Sequence, residues 1–155
     1  MILDIFKKKK GLELYSVVKG KTIPLEEVKD EVFASKMMGD GIAFVPSDNT
    51  IYAPCEAKVM MLSDTLHAIG LKTNNGVEIM IHIGLDTVNL KGKGFSKIYT
   101  HESIVKGEPL ISFDQDIMNE NNVDLTTMLI VVNSKDHACN NLNLNNNVDL
   151  KDVVM

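Results

Sequence analysis

His67-Ala68-Ile69-Gly70-Leu71-Lys72-Thr73-Asn74-Asn75-Gly76-Val77-Glu78-Ile79-Met80-Ile81-His82-Ile83 reads as two strands joined by a tight turn. Asn74-Asn75-Gly76 supplies residues that accept positive φ cheaply, and residues 68–73 and 77–83 on either side are apolar and rich in β-branched types. Side chains alternate along a strand, so Val77, Ile79, Ile81 and Ile83 share one face, while Glu78, Met80 and His82 share the other. The aliphatic face is the core face. The turn then decides where the histidines go. With Asn74-Asn75 as the turn, His67 lies directly across from His82; with Asn75-Gly76, His82 faces Ile69 and His67 is its diagonal neighbour. Either even-length turn keeps both imidazoles on one face, and an odd-length turn separates them. The expectation is an even turn, with opposed Cβ atoms about 4.5–5.5 Å apart. Ile69 and Leu71 would then join Met80 on the histidine face.

Outward from this hairpin the chain continues as short apolar runs punctuated by turns. Further strands are expected at residues 14–18, 41–45, 50–53, 58–62, 109–113 and 128–132. Pro46-Ser47-Asp48-Asn49 and Lys106-Gly107-Glu108-Pro109 mark turns between them. Many short strands at such spacing predict an all-β fold, an antiparallel sandwich or barrel. A short helix is expected from Pro24-Leu25-Glu26-Glu27-Val28 toward Phe33, with Thr22 as its cap, and another over residues 116–122. The Asn-rich tract 140–147 reads as a loop, with an edge strand as the alternative.

The chain has 155 residues, enough for one domain with a single core. Residues 1–11 are set apart as an N-terminal tail, and residues 12–155 as the domain. In the tail Met1, Ile2, Leu3, Ile5 and Phe6 precede Lys7 to Lys10, the reverse of a secretory signal. A membrane-surface foot and a solvated terminus both fit this pattern. No apolar run approaches the roughly 20 residues that cross a bilayer, so the expected location is cytoplasmic, with peripheral membrane contact through the tail. A net charge of −5 disfavours nucleic acid as a partner. Cys55 and Cys139 have no metal-type spacing and read as reduced thiols.

A neutral imidazole nitrogen is a nucleophile, and a transferable phosphoryl group is a natural target. A second imidazole can donate to the phosphoryl oxygens, since this chemistry depends on positioning and charge stabilisation. Thr65, two residues before His67, can hold one ring in its tautomer if the strand extends back. His101 and His137 read as structural. The rival for His67 and His82 is a metal site, which wants three or four protein ligands where only two have any sequence logic. The residues alone leave the phosphohistidine and metal readings open.

Eight stretches narrow the choice. They are Asp30-Glu31-Val32-Phe33-Ala34, Met37-Met38-Gly39-Asp40-Gly41-Ile42-Ala43, Tyr52-Ala53-Pro54, Thr65-Leu66-His67-Ala68-Ile69-Gly70-Leu71, Gly76-Val77-Glu78-Ile79, His82-Ile83-Gly84-Leu85-Asp86-Thr87-Val88, Leu90-Lys91-Gly92-Lys93-Gly94-Phe95 and Val105-Lys106-Gly107. In order and spacing, from residue 14 to 114, they resemble the glucose-class enzyme IIA of the bacterial sugar phosphotransferase system. The resemblance implies an antiparallel β-sandwich of barrel-sandwich type with a few short helical turns, and no cofactor. It implies that His82 accepts a phosphoryl group at Nε2 from the carrier HPr, that His67 hydrogen-bonds that group, and that Thr65 is linked to His67. The phosphoryl group would pass on to the cysteine of a IIB domain of a sugar permease. Asp30 and Asp86 match acidic positions that meet an HPr arginine, and Phe33, Met37, Met38, Met80 and Val88 match an apolar docking ring. Flexible methionines suit a surface that binds several partners. The sequence departs from the family at Ser63, where Phe is frequent, at Glu56-Ala57 in place of Asp-Gly, and in its Asn-rich C-terminal part.

Three other functions compete with the relay. A regulatory module whose phosphorylation state controls permeases or kinases overlaps with it. A zinc hydrolase of the lysostaphin type would need a His-x-His pair, and the residue two after His82 is Gly84; His67 and His82 could hold a metal only together with a partner at a shared interface. A biotinyl or lipoyl carrier needs a lysine in a set hairpin context, which Lys58 near Met60 and Met61 lacks.

Overall fold

The computed structural model describes residues 12–155, so the expected N-terminal tail lies outside the described residues. Two antiparallel sheets form a sandwich. The strands are β1 (Gly20–Pro24), β2 (Asp40–Pro46), β3 (Thr50–Tyr52), β4 (Ala57–Leu62), β5 (Ala68–Lys72), β6 (Glu78–Ile83), β7 (Phe95–Lys97), β8 (Ser103–Ile104), β9 (Pro109–Phe113), β10 (Thr127–Val131) and β11 (Asn147–Val148). The larger sheet runs β11-β1-β2-β10-β6-β5-β4-β8 and the smaller β3-β9-β7. Among the described residues no helix is long and apolar enough to cross a membrane.

Alternation explains how the larger sheet serves two cores. Ile42 and Phe44 of β2, Ile79, Ile81 and Ile83 of β6, and Leu129 and Val131 of β10 point inward onto Ile51, Phe95, Ile111 and Phe113 of the smaller sheet. The intervening residues Ala43, Met80, Met128 and Ile130 face outward, where Leu25, Val28 and Phe33 cover them in a second, smaller cluster. β10 is therefore buried on both faces, which is why it reads as an unbroken apolar run.

Several expected elements are corrected. Residues 14–18 form no strand: Leu14 and Ser16 donate to Met155 and Asp152, while Tyr15 donates to Pro54, so the segment divides its bonds between two neighbours and builds no ladder. The expected helix from Pro24 is split into a single 3-10 turn, Leu25–Glu27, and a four-residue helix α1, Glu31–Ala34. Thr22 caps neither; its hydroxyl bonds to the Asn146 carbonyl, and Asp30 caps α1 by accepting from Val32 N–H. Helix α2, Gln115–Glu120, starts one residue earlier than expected, capped by Asp114. The Asn-rich tract is mostly loop, with Asn147 entering the edge strand β11.

The hairpin turn is also corrected. Ala68 pairs with His82, Ile69 with Ile81 and Lys72 with Glu78. Thr73 and Val77 close the turn around three residues, through Thr73 N–H to the Val77 carbonyl and Val77 N–H to Thr73 Oγ1. The turn is odd in length, and Ile69 and Leu71 lie in the main core with Ile79 and Ile81, not beside Met80.

Candidate active site

With an odd turn, strict alternation would send His67 into the core face opposite His82. The two rings meet nonetheless, with centroids 4.9 Å apart and planes at 78°. The backbone supplies the reason. β5 begins only at Ala68, and the segment before it folds back: Ser63 N–H donates to the Ala68 carbonyl, Leu66 N–H to the Ser63 carbonyl, and Leu66 takes φ of 62°. A bulky residue is uncommon in that left-handed region, and partial burial of Leu66 against the main core holds it there. His67 thus leaves the strand's alternation and reaches the His82 side.

Thr65 lies in this fold-back, not on a strand extension, and its Oγ1 is 2.5 Å from His67 Nδ1. A hydroxyl donating to Nδ1 leaves the proton of the neutral ring on Nε2. Ser63 Oγ approaches the same Nδ1 at 3.4 Å.

His82 is fixed from the other side. Its Nδ1 lies 3.0 Å from the Gly84 carbonyl oxygen. A carbonyl only accepts, so Nδ1 carries the proton and Nε2 of the neutral ring keeps its lone pair. Gly84 can turn its carbonyl back because it has φ of 77° and no side chain; a Cβ there would lie 2.5 Å from Thr87 Cγ2. Phe33 packs on the His82 ring, centroids 4.8 Å apart, and the Asp30 cap fixes the helix that carries it.

Burial, and next the nearby His67, push the His82 pKa down to about 4, against smaller raising effects of the Gly84 carbonyl and Asp30. Burial also lowers that of His67. Both rings are therefore neutral near pH 7. In the unfolded chain His82 returns to about 6.5, so the unfolded state binds the extra proton first as pH falls. The contribution of His82 to stability is fully present above about pH 6.5 and is lost as pH drops toward 4. The check is an NMR titration of the His82 ring, with an expected midpoint near 4; a midpoint near 6.5 would show that the ring is not held neutral by its surroundings.

The remaining expected residues surround this pair in two tiers. Phe33 and Met80 are buried and form the floor. Met37, Met38 and Val88 are exposed, as is Val32 on α1, which sequence reasoning did not single out. Asp30 is half-buried and acts electrostatically on His82. Asp86 is exposed, with φ of 58° at the start of the 3-10 turn Thr87–Leu90. Gly84 and Ser63 were missed as site residues. The signal for Gly84 was its place two residues after a histidine; for Ser63 it was the hydroxyl two residues before Thr65. Among the described residues no group of three or more His, Cys, Asp or Glu side chains is arranged to hold a metal ion.

Comparison with known proteins bears on the family and the fold. A family model described as phosphoenolpyruvate-dependent sugar phosphotransferase system, EIIA 1, matches residues 12–137. The glucose-specific EIIA component of Borreliella burgdorferi is 41% identical over 133 residues, covering 85% of this chain and 70% of that one. The N-acetylglucosamine-specific EIICBA component of Klebsiella pneumoniae is 44% identical over 126 residues, covering 81% of this chain but only 19% of that longer protein. The solved structure of glucose permease IIA from Mycoplasma capricolum superposes with a TM-score of 0.87 at 34% identity, covering 95% of this chain and 96% of that one.

Proposed function

The chain belongs to the EIIA 1 family of the phosphoenolpyruvate-dependent sugar phosphotransferase system, whose members carry phosphoryl groups in sugar uptake, and from that premise we propose that His82 is the carrier atom's residue. The supporting observation is the tautomer: with Nδ1 on the Gly84 carbonyl, the lone pair of a neutral His82 sits on Nε2. In the forward step Nε2 attacks the phosphorus of phospho-HPr. The new N–P bond forms as the donor's P–N bond breaks, and the electron pair leaves with the donor nitrogen. The phosphorylated ring gains positive character, which the Gly84 carbonyl stabilises through Nδ1–H. In the second step a thiolate of a IIB domain attacks phosphorus, and the N–P electron pair returns to Nε2.

His67 is the stabiliser in this reading. Its Nε2–H, set by Thr65 on Nδ1, donates to the phosphoryl oxygens as charge shifts during transfer. The chain contains no arginine, so no guanidinium of its own shares that task. Asp30 and Asp86 would meet a basic group on HPr, while Val88, Met37 and Met38 give the apolar rim over which partners exclude water. Residues 12–155 act as a single EIIA domain in the cytoplasm, with the N-terminal tail able to approach the membrane that holds the permease.

The test is onward transfer by a His67→Ala variant, loaded with phosphate through enzyme I and HPr. It should accept the phosphoryl group but deliver it to IIB about a hundredfold more slowly, the scale of losing one such donor. Wild-type delivery by the variant would remove His67 from the mechanism.

A further inference from the structure

Ser63 opens the fold-back that brings His67 to His82, and the mechanism above does not use it. Its four polar contacts converge on one turn. Its N–H donates to the Ala68 carbonyl at 2.9 Å, and its own carbonyl accepts from Leu66 N–H at 2.9 Å. Its Oγ accepts from Ala68 N–H at 3.1 Å and lies 3.4 Å from His67 Nδ1. The side chain therefore clasps the amide that follows His67 while touching the ring of His67 itself. Because that Oγ already accepts from Ala68, its hydrogen is free to point toward Nδ1, whose single lone pair it shares as the longer, second donor beside the Thr65 hydroxyl. Thr65 holds the same nitrogen from two residues away.

We propose that Ser63 is a positioning residue for phosphoryl transfer: its hydroxyl, seated on the Ala68 amide and facing Nδ1, holds His67 on the His82 side of the sheet and in the tautomer with Nε2–H. This rests on the phosphocarrier reading of His82 and His67. The odd hairpin turn gives the hydroxyl its importance. Residue 67 would follow the strand into the core face unless the chain before Ala68 were held in its reversal, and the Ser63 side chain is tied to both ends of that reversal. Thr65 alone constrains the ring; Ser63 constrains the ring and the backbone beneath it. Outer partners of this kind, which orient a functional histidine, typically alter function by about 10- to 100-fold when removed from a metal ligand, and the same orienting duty applies here.

The experiment compares wild type, Ser63→Ala and Ser63→Thr as full chains, with two readouts. The first is the 15N spectrum of the His67 ring without phosphate. Wild type should give one protonated and one unprotonated nitrogen signal, well separated, whereas Ser63→Ala should draw them toward a tautomeric average. The second is single-turnover delivery from the phosphorylated protein to IIB, expected to fall about tenfold in Ser63→Ala and to recover in Ser63→Thr, which restores the hydroxyl. Ser63→Cys, a weak donor of similar volume, replaces alanine if the loop does not tolerate it. Unchanged ring signals together with delivery within twofold of wild type would overturn the proposal. So would slowed delivery with an unaltered His67 tautomer, since that is the mark of a purely structural loop residue. Failure of wild type to take up phosphate would instead count against the phosphocarrier reading, and the ring spectrum would still decide the role of Ser63.

Discussion

Replacing His82 by alanine is expected to abolish phosphoryl flux from phosphoenolpyruvate to sugar while leaving the sandwich folded. The ring sits at the edge of the outer cluster, against Phe33 and His67, and not in the main core between the sheets. Its loss removes one partner from Phe33 but leaves no buried polar atom behind, because the Gly84 carbonyl can accept from water entering the vacated space. Chemically nothing replaces it. His67 presents Nε2–H and not a lone pair when the Thr65 hydroxyl donates to Nδ1, and His101 and His137 belong to other parts of the chain. Label transferred through enzyme I and HPr should fall to background, with the circular dichroism of wild type retained. Residual steady transfer above a few per cent would mean that another residue carries the group.

The second large effect is on stability. Gly41 lies in β2 opposite Ile130, and a Cβ there would come within 2.0 Å of the Leu129 carbonyl oxygen and 3.0 Å of Ile130 Cα. Both are backbone, so no side chain can swing aside. Gly41→Ala must push β2 from β10 at the centre of the eight-stranded sheet. Overpacking of this kind costs roughly 1–3 kcal/mol and occasionally more, and a rigid backbone clash belongs at the upper end. A fall in melting temperature of roughly 10 °C is expected for a domain of this size. Because Met128 of β10 also pairs with His82, the same wedge should disturb the His82 ring signals. Val88→Ala, on the exposed rim, should change stability by no more than about 0.5 kcal/mol. Thermal unfolding of the two variants checks both figures; an unaltered melting temperature for Gly41→Ala would mean that the sheet has room that the geometry denies.

Much of this was legible in the sequence for physical reasons that can be named. Alternation in residues 77–83 assigned the core face correctly, because a strand buried on one side must keep its period of two. The encounter of His67 with His82 was also foreseen, yet by an even turn that the structure replaces with an odd one. Two departures cancel: the third turn residue shifts the register, and the positive φ at Leu66 with the Ser63 clasp turns His67 back. Leucine carries no propensity for that conformation, so nothing local announces it. The strands β1, β7 and β8 were missed, and β11 was only the alternative to a loop, since they are short or lack alternation, and ladder partners far along the chain hold them in place. β1, Gly-Lys-Thr-Ile-Pro, is bounded by the two residues least suited to strands. The residues expected to form a docking ring lie in two tiers: Phe33 and Met80 are apolar enough to be either floor or rim, and only the cover by Leu25 and Val28 decides that they are floor.

The claim on which everything else depends is that one phosphoryl group resides on His82. Intact-mass spectrometry at alkaline pH, where phosphohistidine survives, after mixing the wild-type chain with phosphoenolpyruvate, enzyme I and HPr, addresses it directly. The expected result is a single added phosphoryl group, located by fragmentation to His82 and lost on brief acid treatment. An unmodified mass in the presence of an active donor, or a phosphoryl group on His67, would contradict the account.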